Sequence, residues 1–127
     1  MSACRAAMIL SFWYRERSDA IARAPKAFWG AYAAAKAGVE GLALAAAATY
    51  APKGIRVNCV APGFVETDMV RRMDPRIVEE VVKVIPMRRL GQPEEVAKVV
   101  AFLASDLAGY ITGVFLPVCG GNAMVAI

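Results

Sequence analysis

Tyr32 and Lys36 stand four residues apart in a run of small apolar residues, GAYAAAKAG at 30–38. Four residues is close to one helical turn, so in a helix the two lie on one face. An ammonium beside a phenol favours the phenolate, because an opposite charge stabilises the ionised form. Free tyrosine has a pKa of about 10, so a phenol that exchanges protons near neutrality needs such a neighbour. A nearby hydroxyl would hold the substrate oxygen. The chemistry this suits is proton transfer to or from an oxygen. Alone the spacing is weak: at average composition it arises by chance in roughly one chain of this length in five.

The elements around the pair follow from local pattern. Residues 31–50 are rich in Ala, Leu, Lys and Glu and form the strongest helix candidate. Gly38 and Gly41 each lower its propensity by about 1 kcal/mol, so close packing against a neighbour is their expected role. Lys36 and Glu40 are spaced to pair, in the less favourable orientation. Pro52 and Gly54 end the helix. Ile55–Ala61 is a β-branched run of the kind buried on both faces of a parallel sheet. Pro62-Gly63 then forces a turn. Residues 66–73 read as a short helix. Asp74 and Pro75 start another through about Val84, as N-cap and first position.

Gln92-Pro93-Glu94-Glu95 opens a further helix, with two carboxylates at the positive end of its dipole. Val96, Val99, Val100, Leu103 and Leu107 give it an apolar stripe. Val114–Cys119 is a second strand candidate, closed by Gly120-Gly121, and Met8–Tyr14 a third, followed by a charged turn at Arg15–Asp19. This alternation predicts βαβ units and a parallel sheet, with an apolar, unprotected edge.

Composition narrows the chemistry. The 127 residues are 58% hydrophobic and 20% charged, which excludes an extended disordered tail. There is no histidine, so a His-based triad and a Cys/His zinc site are excluded, and no metal is expected. Cys4, Cys59 and Cys119 are widely spaced and odd in number, which argues against a disulfide scaffold and for a reducing cytoplasm. The net charge of +4 falls mostly in residues 1–30, with no basic stripe for nucleic acid. The apolar run at 6–14 lacks a cleavage site close behind it, so a signal peptide is disfavoured. Lys36 and Glu40, near the middle of 31–50, argue against a membrane span.

Beyond the pair, GIRVNCVAPG at 54–63, FVETDM at 64–69, RLGQPEEV at 89–96, AFLASD at 101–106, YITG at 110–113 and Gly120-Gly121 follow in order. Together with GAYAAAKAG they closely resemble the C-terminal half of the classical short-chain dehydrogenase/reductase family. The nearest branch is the 3-oxoacyl-carrier-protein reductases, over about residues 18–122. The resemblance implies an α/β fold: a partial Rossmann-like domain, C-terminal half only, with two to three strands of a doubly wound parallel sheet and flanking helices. Residues 1–17 would be a divergent N-terminal segment, and 18–127 the C-terminal half of the domain.

It implies an NAD(P)-dependent oxidoreductase that interconverts a carbonyl and an alcohol by hydride transfer. Tyr32 would be the general acid/base. Lys36 would depress its pKa and hold the nicotinamide ribose. Ser18 matches the catalytic serine, 14 residues before Tyr32 where 13 is common. Pro62 and Gly63 match the turn beside the nicotinamide. Val65 and Thr67 match positions that contact its amide and a nearby phosphate. Asn58 matches an asparagine with a structural role, and Lys53 a basic position used for carrier-protein docking. A small-molecule substrate, a homo-oligomer and a cytoplasmic location are also implied, with neither nucleic acid nor membrane as partner.

The chain also departs from that pattern. Cys119 replaces the usual acidic residue before the Gly-Gly pair, and Thr49 a frequent carboxylate. No G-x-G occurs, so the phosphate-cradling fingerprint is missing. Two readings stand: a truncated or divergent oxidoreductase, and a catalytically inactive remnant acting as an interaction or oligomerisation module through its helices.

Overall fold

The computed structural model describes residues 6–11 and 29–122. Three parallel strands lie in the order β1-β2-β3: β1 (Ala6–Ser11), β2 (Ile55–Pro62) and β3 (Phe115–Val118). Between β1 and β2 runs α1 (Trp29–Tyr50). Between β2 and β3 come α2 (Asp68–Arg71), α3 (Pro75–Val84) and α4 (Pro93–Ala104).

β2 sits in the middle, which explains its unbroken apolar character. Residues 56–61 are all buried. Alternate side chains serve opposite faces, as the pleat requires. Val57, Cys59 and Ala61 pack on Ala43 and Ala47 of α1. Val60 packs with Leu103 of α4 and with Ala108. The two helices therefore cover opposite faces, which is the doubly wound arrangement expected, in partial form.

The α4 face is also tied by polar side chains. Arg56 is 5% exposed and donates through Nη1 to Leu103 O at 2.6 Å and through Nη2 to Ser105 O at 3.0 Å. These carbonyls belong to the end of α4, where a helix leaves acceptors unsatisfied and favours a cation. Asn58 donates through Nδ2 to Ile111 O at 3.0 Å and accepts from Val114 N at 3.2 Å. Thr112 Oγ1 accepts from Val57 N at 3.0 Å, and Gly113 N donates to Val57 O at 2.7 Å. The loop into β3 is thus fastened along β2, and Asn58 has the structural role the resemblance implied.

Local signals set most boundaries. Gly54 adopts φ 74° and donates to Ala51 O, closing the 3-10 turn at Ala51–Lys53 that follows α1. Asp74 accepts from Arg76 N at 2.9 Å and caps α3 as predicted. Elsewhere the structure corrects the sequence reading. The short helix is Asp68–Arg71 rather than 66–73, and the last strand is Phe115–Val118. The first strand is Ala6–Ser11, while Phe12–Tyr14 and the turn at 15–19 lie outside the described residues.

Gly38 and Gly41 do not mediate close packing among the described residues: no described atom lies within 4 Å of a Cβ added at either. Ala43 and Ala47 make the contact instead. Leu107 is 84% exposed, because α4 stops at Ala104 and a 3-10 turn at Asp106–Ala108 buries Ala108 in its place.

β3 is an edge among the described strands. Cys59 N and Gly63 N donate to Val114 O and Val118 O. By alternation, the backbone groups of Phe115 and Pro117 point away from β2. The donor that proline lacks is therefore on the outer edge, where a strand tolerates the loss.

Candidate active site

The end of β2 and the loop leaving it carry four of the sequence-predicted site residues, Pro62, Gly63, Val65 and Thr67. It starts at the carboxyl end of a parallel strand, where open α/β sheets bind ligands. Gly63 is buried against β3: a Cβ there would lie 2.7 Å from Cys119 Cβ and 2.8 Å from Cys119 Cα. Gly120 and Gly121 have φ of 62° and 86° and turn the chain past Ile85 and Pro86. Between these segments opens a cleft of about 470 Å³, lined in part by Phe64, Met87, Arg89, Val96, Pro117 and Cys119.

The loop is fixed by the start of α4. Val65 and Gly91 form a parallel bridge, with Gly91 N donating to Phe64 O at 2.9 Å and Glu66 N to Gly91 O at 2.8 Å. Gln92 Nε2 donates to Glu66 Oε2 at 2.8 Å, and Arg71 Nε to Glu66 Oε1 at 3.4 Å. Those two donors hold the Glu66 carboxyl below its ordinary range, Gln92 first and Arg71 second. Glu95 accepts from Arg89 through both oxygens at 2.6 and 2.7 Å, and from Gln92 N at 2.8 Å. The Arg89 fork, then the Gln92 amide, holds its carboxyl down to about 2.

Thr67 and Val65 differ in how they face the site. Val65 is 7% exposed and anchors the loop. Thr67 is exposed at the N-cap of α2 yet makes no side-chain capping bond. Its hydroxyl suits an external polar group such as an amide or a phosphate. These features fit the nicotinamide side of a dinucleotide. For the pyrophosphate side, the 127 residues hold no G-x-G.

Tyr32 and Lys36 occupy successive turns of α1, which is described there by its backbone. Ala47 lies beside Gly113, which is bonded to Val57 near the start of β2. Lys36 is 11 residues before Ala47, about 16 Å of helix. Pro62 is five residues beyond Val57, about 16 Å of strand. With α1 running straight back along β2, these ideal rises would bring the turn bearing Lys36 level with Pro62, and Tyr32 about 6 Å further toward the loop side. Ser18 lies outside the described residues.

The sequence reading missed Glu66, Gln92, Arg89 and Glu95 as supports of the loop. Only the Gln92–Glu95 spacing announced itself, as a helix start. No described helix is long and apolar enough to cross a membrane.

A family model described as enoyl-(acyl carrier protein) reductase matches residues 18–123. The chain belongs to the short-chain dehydrogenase/reductase family. Among relatives in this family, a 3-oxoacyl-(acyl-carrier-protein) reductase of Pseudomonas aeruginosa is 54% identical over 93 residues, covering 73% of this chain and 38% of the relative. An acetoacetyl-CoA reductase of Allochromatium vinosum is 49% identical, covering 73% and 38%. The human (3R)-3-hydroxyacyl-CoA dehydrogenase is 51% identical, covering 73% and 36%. The chain thus spans little more than a third of the length of these short-chain dehydrogenase/reductase relatives.

Proposed function

We propose that this chain serves an NAD(P)-dependent interconversion of a carbonyl and an alcohol, with a small 3-oxoacyl compound as the substrate class. The main support is the common level of the Tyr32–Lys36 turn and the Pro62–Thr67 loop at the carboxyl ends of parallel strands. The names of the relatives support the substrate class.

A nicotinamide cofactor, NAD or NADP, supplies or accepts the hydride when bound. Tyr32 Oη delivers the proton to the substrate oxygen during reduction and removes it during oxidation. The Lys36 ammonium favours the phenolate and holds the nicotinamide ribose. The Ser18 hydroxyl holds the substrate oxygen in line with Tyr32. Thr67 and the backbone at Val65 hold the cofactor's amide end, and Pro62-Gly63 shapes the turn beneath it. The reading extends to a divergent segment at 1–17, a homo-oligomer and a cytoplasmic location.

A titration of the full chain with NADH and NADPH, followed by cofactor fluorescence, tests this directly. Micromolar binding supports the reading, and silence at millimolar cofactor overturns it. Tyr32→Phe is expected to lower turnover about 10²–10⁴-fold, the usual contribution of a positioned acid/base. Unchanged turnover would remove Tyr32 from the mechanism.

A second reading, an inactive module that associates through its helices, has its own support. α1 exposes Leu42 at 63% and Leu44 at 50%. Oligomerisation without cofactor binding favours it.

A further inference from the structure

Glu66 lies between Val65 and Thr67, the two residues assigned to the cofactor's amide end, and its side chain is hydrogen-bonded to another element. The grip comes from the N-cap of α4. Gln92 Nε2 donates to Glu66 Oε2 at 2.8 Å across 26 residues of sequence. Gln92 is itself held, since its backbone N–H donates to Glu95 Oε2 at 2.8 Å. Arg89 clamps the same carboxylate through both oxygens. The neighbouring Gly91 adds the backbone bridge to Val65.

We propose that Gln92 is a positioning residue for the cofactor loop, setting Thr67 and Val65 through Glu66. The assignment rests on the proposed nicotinamide binding. A helix cap alone would need only the Gln92–Glu95 contact. The side-chain amide nitrogen of Gln92 reaches beyond the cap to the loop. Both partners are at the surface: Glu66 is 38% exposed at its side chain, and Gln92 is exposed. Their contact thus adds little to global stability, and its loss is read at the loop.

The test is a fluorescence titration of the full chain with NADPH, paired with urea unfolding of each variant. Gln92→Ala is expected to weaken binding about tenfold, which is about 1.4 kcal/mol and the size of one neutral hydrogen bond. Its unfolding midpoint should match that of the parent. The cofactor KM should rise by the same factor with kcat unchanged. The exchanged pair Glu66→Gln with Gln92→Glu rebuilds the contact with donor and acceptor reversed, and should bring affinity back to within threefold. Lys83→Ala, at an exposed position of α3 paired with Glu80, should bind as the parent does.

Parent binding with Gln92→Ala inside twofold overturns the role of Gln92 and leaves the cofactor reading intact. A loss that tracks the unfolding midpoint, with no recovery in the exchanged pair, also overturns it. A parent chain silent at millimolar NADPH overturns the cofactor reading, and the role of Gln92 with it.

Discussion

Gly63 and Cys119 approach so closely that a methyl group on Gly63 would sit 2.7 Å from Cys119 Cβ. The contact joins the end of β2 to the end of β3, and it involves the backbone of Cys119 as well as its side chain. Gly63→Ala therefore forces the two segments apart. It should cost about 1–3 kcal/mol, the range for an overpacked site. Gly91→Ala is the comparison, since its added carbon would meet Phe64 O at an ordinary 3.6 Å. Urea unfolding of both variants checks the difference, and equal midpoints would refute it.

Leu103 and Leu107 are four apart and belong to one predicted stripe, yet they are 1% and 84% exposed. Leu103→Ala should lose about 3 kcal/mol through lost burial and a residual cavity. Leu107→Ala should stay within about 0.5 kcal/mol, as surface changes usually do. Denaturant midpoints decide between this and an unbroken helical stripe.

Arg56 holds the carbonyls of Leu103, Ser105 and Ile111 from inside the sheet. Arg56→Met keeps an apolar stem but removes these bonds; Ser105 O keeps its bond from Ala108 N and Ile111 O its bond from Asn58 Nδ2, while Leu103 O loses the guanidinium. The expected loss is about 2–3 kcal/mol, from charge-assisted bonds removed and the Leu103 carbonyl left short of a donor. Arg72→Met, at an exposed site, should change little. A thermal scan in which both variants match the parent would show the carbonyls to be satisfied without Arg56.

Acid should loosen the loop support in a defined window. Glu95 titrates at about 2 in the folded chain against an ordinary 4.5. A depressed folded pKa means its contribution is complete above about pH 4.5 and is lost as the pH falls through about 2. Glu66 is shifted the same way. Unfolding midpoints between pH 5 and 2 should fall more steeply for the parent than for Glu95→Gln. Parallel profiles would mean that the Arg89–Glu95 pair does not contribute.

Much of this molecule was legible where the signal is local. Asp74-Pro75 and Gln92-Pro93 announced helix starts, because capping depends on neighbours in sequence. The β-branched run at 55–61 announced a strand buried on both faces, and the series from Gly30 to Gly121 announced the family. Contacts set by the approach of distant segments were not legible. Glu66 and Gln92 are 26 residues apart, and Arg56 reaches carbonyls 47 to 55 residues away. Nothing in either residue type signals its partner. Gly38 and Gly41 show the same limit: a small residue permits close packing, but which turn of α1 meets β2 is settled, among the described residues, by the register of Ala43 and Ala47.

Pro117 has an effect that reaches past this chain. A strand from another molecule laid along the outside of β3, an edge among the described strands, would meet a gap at Pro117 where a rung of the ladder belongs. Fibril-like stacking needs an unbroken ladder, and this side cannot offer one. The apolar side chains there can still be covered by a partner, but only by surface packing, which leaves the hydrogen-bonded sheet at a fixed width on that side.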